Sequence, residues 1–226
     1  DEADVTIGDI DLIGVTEGPG LVGALLIGVA TAKAVSFAAD IPIVGVHHIM
    51  GHIAANYIQF PNLKPPFTAL IVSGGHTNIA EVTDYTCCRV LGSTRDDAVG
   101  EAYDKVARVL GLGYPGGPKI DKIAKEGNPD AVHFKRVFLE KDSLDFSFSG
   151  LKTAVLNHIN SAKQRGEEIN RADIAASFQQ AVIEVICQKA VAAAKDMGHG
   201  KLVIAGRVAA NSKLRMELEQ QCAQES

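Results

Sequence analysis

Residues 67–82, FTALIVSGGHTNIAEV, constrain the fold more than any other stretch of this chain. Phe67–Ser73 is a continuous β-forming run. Gly74–Gly75 breaks it, and Thr77–Thr83 returns with alternating polarity as a hairpin partner. A sheet built on such a hairpin is not all-parallel, because parallel neighbours need a long crossover. Arg89–Leu91 reads as a third strand, and KLVIAG at 201–206 as a late strand between two helical stretches. Helices are predicted at 97–110, 118–126, 151–163, 171–196 and 211–221. The order points to an α/β domain with a mixed sheet.

The first part of the chain has its own pattern. Residues 10–16 read as a strand, 17–23 as a glycine turn and 24–39 as a helix of small apolar residues. Ile43–Val46 is a short strand, and a helix over about 48–58 ends before Pro61. The apolar run Leu21–Ala39 is long enough to invite a membrane reading, but it carries Lys33 and Ser36 and is rich in Gly and Ala. A buried helix after a glycine turn is the expectation. Pro65–Pro66 marks a hinge or boundary.

The sequence has 226 residues, 46% of them hydrophobic, which supports a sizeable core in one domain or two small ones. Lys plus Arg is 22 against 27 for Asp plus Glu, a net charge of -5. Binding of nucleic acid through bulk positive charge is thereby excluded, while a local basic patch or a basic partner is not. Cys87, Cys88, Cys187 and Cys222 form no CxxC spacing, which suits a reducing, cytosolic compartment.

Five segments carry candidate chemistry. In VHHIMGHIAANY, His48 and His52 are spaced i,i+4, so on a helix both imidazoles share one face and could hold a metal ion. An ordinary surface pair is the alternative. A zinc-protease HExxH would need Glu where Ile49 stands, and His47 reads as a cap. Ser73-Gly74-Gly75-His76-Thr77 turns sharply at a strand end. Its exposed amides, with the Ser73 and Thr77 hydroxyls, make a phosphate or carboxylate cradle, or simply a hairpin turn. Asp97, Glu101 and Asp104 or Lys105 fall on one side of a helix, either as a ligand-binding carboxylate set or as a solvated acidic first turn. Gly116-Gly117-Pro118 with Asp121 turns the chain into a helix and lets a ring or sugar approach. A strand, Gly206 and a helix starting near Asn211 or Ser212 make an anion or nucleotide site, with Asn211 as helix cap or ligand-binding group. Lys213 and Arg215 could meet phosphate or RNA. In DFSFSGLK, Phe146 and Phe148 are expected to be buried rather than displayed. No Walker A motif is present.

Together, VHHIMGHIAANY, ALIVSGGHT, STRDDAVGEAYDKVARVLGLGYPGGPKID, FSFSGLKTAV and VAANSKLR resemble the tRNA threonylcarbamoyladenosine transferase family, once labelled O-sialoglycoprotein endopeptidase. The resemblance covers essentially the whole chain. It implies an actin-like (ASKHA) two-domain α/β fold with mixed sheets flanked by helices. Residues 1–65 would be an incomplete first domain carrying the metal-binding helix, and 66–226 a second domain with adenylate-binding loops. The implied reaction moves threonylcarbamoyl from threonylcarbamoyl-AMP to N6 of adenosine 37 in tRNAs reading ANN codons. Implied substrate-binding residues are Val72, Ser73, Gly74, Gly75, His76, Asp104, Gly117, Asp121 and Asn211. Implied metal ligands are His48 and His52 for one divalent ion, Fe2+ or Zn2+. Implied partners are tRNA, a TsaB-like paralogue and a TsaE-like ATPase, in the cytoplasm and without a membrane.

The chain departs from the pattern in three ways. The family's N-terminal strand and phosphate loop are not found. No DN segment, source of the third metal ligand, follows VAANSK, so the chain is expected to be truncated at both ends and its metal weakly held, absent or completed by water. AGRVAAN also stands where many members have two glycines. Competing readings are an actin-superfamily ATPase or sugar kinase, a metalloprotease, and a non-catalytic partner or inactive fragment.

Overall fold

A computed structural model describes residues 4–225. The chain divides after Pro61 into two compact units.

In the first unit, β1 (Ile13–Gly18) and β2 (Ile43–His47) pair in parallel, Ile13 opposite Ile43, with α1 (Val22–Ala39) as the crossover between them. This is the short βαβ connection that parallel pairing demands. α1 ends at Asp40, whose left-handed backbone (φ 53) closes the last turn. By length and composition α1 could cross a membrane, with mean hydropathy 1.8. The expectation of a buried helix is only half met. The helix forms, but none of its side chains is buried among the described residues, because a two-stranded sheet and two helices are too small to cover it. α2 (His48–Gln59) follows directly from β2 and buries Ile49 and Ile53.

The second unit is built on a four-stranded sheet ordered β5-β4-β3-β6. β3 (Phe67–Val72) is buried at all six residues and forms the predicted hairpin with β4 (Thr77–Asp84), Val72 facing Thr77. β5 (Cys87–Ser93) extends the antiparallel meander. β6 (Leu202–Ala205) adds in parallel on the other side of β3, Thr68 opposite Leu202, which makes the sheet mixed.

Among the described residues the unit also holds five α-helices: α3 (Val99–Val109), α4 (Gly116–Ala124), α5 (Ser149–Gln164), α6 (Arg171–Met197) and α7 (Ser212–Gln224). α6 is the spine, and Ile174, Phe178, Val182 and Ile186 sit in one apolar cluster with Leu70, Tyr103 and Val155. Asn170 caps its start by accepting from the Ala172 and Asp173 amides, and Gly198 in the left-handed region closes its end.

Residues 142–148 form a loop, one of the two readings their sequence allows, tied to the sheet by a bridge between Thr94 and Phe146. The alternation in FSFSG sorts cleanly. Phe146 and Phe148 go inward and stack at 5.9 Å, while Ser147 and Ser149 turn to Asp96. Burial raises the Asp96 pKa, but hydrogen bonds from the Ser147 and Ser149 hydroxyls and the Phe148 and Ser149 amides outweigh it and hold the carboxyl below its usual range. The carboxylate thereby satisfies the first amides of α5 from outside the helix.

Candidate functional site

Because β3 and β6 run in parallel, the Ser73–His76 turn and the loop after β6 emerge at the same edge of the sheet. That is the edge at which open α/β sheets place ligands. Gly206, directly after β6, has φ +93, and a Cβ there would run into the Val72 carbonyl. Only glycine fits this backbone, and it holds the following 3-10 turn (Arg207–Ala210) close against β3.

A cleft of about 330 Å3 opens beside this edge. α3 contributes Gly100, Tyr103 and Asp104 to it, and α4 with its preceding loop contributes Pro115, Gly117, Asp121 and Lys125. The loop after β6 contributes Arg207 and Asn211. The structure thus brings four of the predicted residues together: Asp104, Gly117, Asp121 and Asn211. Gly116 is what allows α4 to lie so close to α3, since a Cβ would sit 2.6 Å from the Tyr103 carbonyl oxygen and 2.7 Å from the Asp104 Cα. Gly117, by contrast, faces open space.

The cleft's polar groups are organised by internal bonds. Asp104 Oδ1 accepts the Gly116 amide at 2.6 Å and so caps α4. Both Asp121 oxygens accept from the Ser212 hydroxyl at 3.1 Å, with Lys125 Nζ 4.0 Å away, which links α4 to the first residue of α7. Asn211 is the helix cap, one of the two roles expected of it, and it also lines the cleft. Its Oδ1 accepts the Leu214 amide at 2.9 Å as the cap of α7, and its Nδ2 donates to Gln179 Oε1 at 3.0 Å while the residue lines the cleft. Gln179 Oε1 also accepts from the Tyr103 hydroxyl at 3.4 Å. Burial, with the Asp121 charge nearby, pushes the Tyr103 phenol far above its usual range, so it stays a donor. Tyr103, Gln179 and Ser212 were not singled out from sequence as site residues. Tyr103 lies inside the GEAYDK motif, which is a signal, whereas Gln179 lies mid-helix with none.

Other predicted groups are used elsewhere. The Ser73 hydroxyl accepts the His76 amide at 3.0 Å, and Thr77 Oγ1 accepts the Val99 amide at 2.8 Å at the start of α3. Both hydroxyls thus accept internal amide hydrogen bonds, and the Ser73 O–H points at the His76 carbonyl at 3.5 Å. Val72 ends β3 in the core, and Gly75 is exposed at the tip of the turn. Gly74 packs beside Gly100, whose amide donates to the Ser73 carbonyl at 3.2 Å. Lys105 pairs with Asp97 at 2.6 Å and Glu101 at 2.9 Å, away from Asp104, so those two acids form a surface ion-pair set. Arg215 donates to the Ala209 carbonyl at 2.6 Å.

In the first unit, His48 and His52 occupy successive turns of α2, half-buried, with ring centroids 4.5 Å apart. His47 occupies the cap position of α2 and makes no cap hydrogen bond. Among the described residues no group of three His, Cys, Asp or Glu side chains is placed to share a metal ion. Two imidazoles are fewer ligands than a closed zinc site uses. The described residues on their own do not fit a tightly held metal.

The sequence pattern of the family described as TsaD: tRNA N6-adenosine threonylcarbamoyltransferase matches residues 1–226. A tRNA N6-adenosine threonylcarbamoyltransferase of Clostridium botulinum (strain 657 / Type Ba4) is 58% identical over 222 residues, covering 98% of this chain and 65% of the relative. One from Moorella thermoacetica is 57% identical over 216 residues, covering 96% and 63%. The chain thus spans about 65% of the length of the curated relatives it matches. Among solved structures, HypF of T.kodakarensis superposes with a TM-score of 0.71 at 15% identity, over 98% of this chain and 37% of that one, a likeness of fold alone. Mixed sheets flanked by helices agree with the actin-like fold of the matched family. The chain belongs to the TsaD family of tRNA N6-adenosine threonylcarbamoyltransferases.

Proposed function

We propose that the cleft binds threonylcarbamoyl-AMP and that the whole protein transfers its threonylcarbamoyl group to N6 of adenosine 37 in tRNAs reading ANN codons. The observation that carries this reading is the convergence of Asp104, Gly117, Asp121 and Asn211 on one cleft in a chain of this family. In this reading Asp121, which accepts the Ser212 hydroxyl in the free chain, accepts from the ribose hydroxyls instead. The bare Gly117 lets a flat ring come close, and the Ser73–His76 turn lies nearby for the acyl-phosphate end. In the transfer, N6 bonds to the carbamoyl carbon, the bond from that carbon to the phosphate oxygen breaks, AMP leaves and N6 loses a proton. N6 of adenine is a weak nucleophile, so an activated mixed anhydride and accurate orientation supply the drive. Of the readings weighed above, proteolysis is the worst served, because the position of its catalytic glutamate is Ile49, which is buried.

The proposed partners are tRNA, a TsaB-like paralogue and a TsaE-like ATPase, and the proposed compartment is the cytoplasm. The test is reconstitution with these proteins, tRNA, threonine, bicarbonate and ATP, using this span and a form extended to its relatives' full length. Digested tRNA is then analysed for threonylcarbamoyladenosine by mass spectrometry. Absence of the modified nucleoside from the extended form would sink the reading.

We also propose His48 and His52 as two ligands of a divalent ion, iron or zinc. Calorimetric titration of this span with Zn2+ should give an affinity of about micromolar or weaker, far below that of structural zinc sites. His52→Ala should remove it. Nanomolar binding, or binding that survives His52→Ala, would contradict the assignment.

A further inference from the structure

We propose that Arg207 recognises an anionic group of the cleft's ligand, a phosphate or a carboxylate, and holds it against the Ser73–His76 turn. The proposal rests on the adenylate reading above and adds a residue to it.

Arg207 is the first residue of the 3-10 turn after β6 and lines the cleft. Its Nη2 lies 3.7 Å from where a Cβ on Gly74 would be, so the guanidinium hangs over the bare backbone of the turn. The base of the side chain is fixed, because Gly206 before it is locked by its positive φ and its contact with the Val72 carbonyl. Two loops that leave adjacent parallel strands are thereby spanned by one arginine.

The two carboxylates of the cleft have internal partners, while Lys122, on α4, also lines it without a hydrogen bond or ion pair among the described residues. Asp104 holds the Gly116 amide, and Asp121 holds Ser212 with Lys125 nearby. Arg215, from the same segment, donates to a backbone carbonyl. Arg207 makes no hydrogen bond or ion pair among the described residues. Neither the Gly74 nor the Gly75 amide donates to another backbone group among them. A rigid fork of N–H donors therefore lies beside the Ser73–His76 turn, on the side that Gly74 leaves without a side chain. That arrangement suits a planar carboxylate or a tetrahedral phosphate and is poorly matched to a neutral ligand. A lysine would bring the charge without the fork.

An acyl-adenylate with a threonyl end offers both kinds of anion, so the probes separate them. Adenosine, AMP and N-carbamoyl-L-threonine are titrated calorimetrically into the wild-type chain, Arg207→Ala and Arg207→Lys. If the phosphate is the group held, Arg207→Ala weakens AMP binding by about tenfold or more, the size of one charge-assisted hydrogen bond, and leaves adenosine within about twofold. If the carboxylate is the group held, the loss appears with N-carbamoyl-L-threonine instead. Arg207→Lys should fall between wild type and alanine for whichever probe responds. The proposal is overturned if Arg207→Ala leaves both anionic probes within about twofold, or weakens adenosine as much as AMP. If the wild-type chain binds none of the three, the adenylate reading fails and the role of Arg207 falls with it. If adenosine binds and only the anion dependence is missing, the adenylate reading stands alone.

Discussion

On the adenylate reading proposed above, Asp121→Ala in a form extended to its relatives' full length is expected to lower kcat/KM for threonylcarbamoyl transfer by about a hundredfold, with little change in the stability of the second unit. Asp121 is half-buried at the cleft wall, and both of its oxygens already accept from a hydroxyl, that of Ser212, at 3.1 Å. A carboxylate that can receive two hydroxyl protons is the natural partner of a ribose diol. Two hydrogen bonds to a charged acceptor are worth roughly 3 kcal/mol together, or about a hundredfold in rate or affinity. The bond lost inside the protein is exposed and costs at most about 1 kcal/mol. Asp121→Asn keeps the size and one acceptor, and should fall about tenfold. The measurement is the yield of modified adenosine against adenylate concentration in the reconstituted system, alongside a thermal melt. If Asp121→Ala kept more than about half of the wild-type kcat/KM, this carboxylate would have no part in ligand binding.

Phe146→Ala should produce the largest loss of stability, about 3–5 kcal/mol. The ring is fully buried and stacked on Phe148, and Lys189 Nζ lies 5.5 Å from its centroid. Lys189 is itself only 5% exposed and donates to the carbonyls of Ser143, at 2.9 Å, and Asp145. Burial lowers its pKa, so the ammonium depends on those carbonyls and on the ring faces of Phe138 and Phe146. Truncating Phe146 leaves a cavity and removes one of those faces, in a domain whose whole margin is of order 5–15 kcal/mol. Urea denaturation followed by far-UV circular dichroism reads the effect. A loss under about 1 kcal/mol would mean that the loop over 142–148 is not anchored by this ring. Phe146→Leu should recover most of the stability.

Much of the second unit was legible because its elements announce themselves locally. The apolar run of β3, the Gly-Gly break and the alternation of β4 gave the hairpin, and the periodicity of α6 gave its long helix. The i,i+4 spacing of His48 and His52 likewise predicts their shared face on α2. What could not be read were commitments made across the chain. Asp104 spends an oxygen on the Gly116 amide, and Thr77 spends its hydroxyl on the start of α3. Neither follows from spacing, because each depends on how two helices are docked. Asn211 was expected to be a helix cap or a ligand-binding group; the cap is formed, and its amide is held by Gln179 from the middle of α6, a partner that no spacing in the sequence announces. α1 shows the opposite failure. Its composition reads as core, but composition records how apolar a helix is and not whether the neighbouring elements can cover it.

The parallel pairing of β3 with β6 also fixes when the cleft comes into being. The β3–β4–β5 meander is built from neighbours in sequence and can form early. β6 must return from far along the chain to close against β3, a contact whose loop entropy is met only late. Gly206, Arg207 and Asn211 all arrive with that strand. A chain emerging from the ribosome is therefore expected to carry a folded β3–β4–β5 hairpin array before the cleft exists, because one wall of the cleft arrives only when β6 docks.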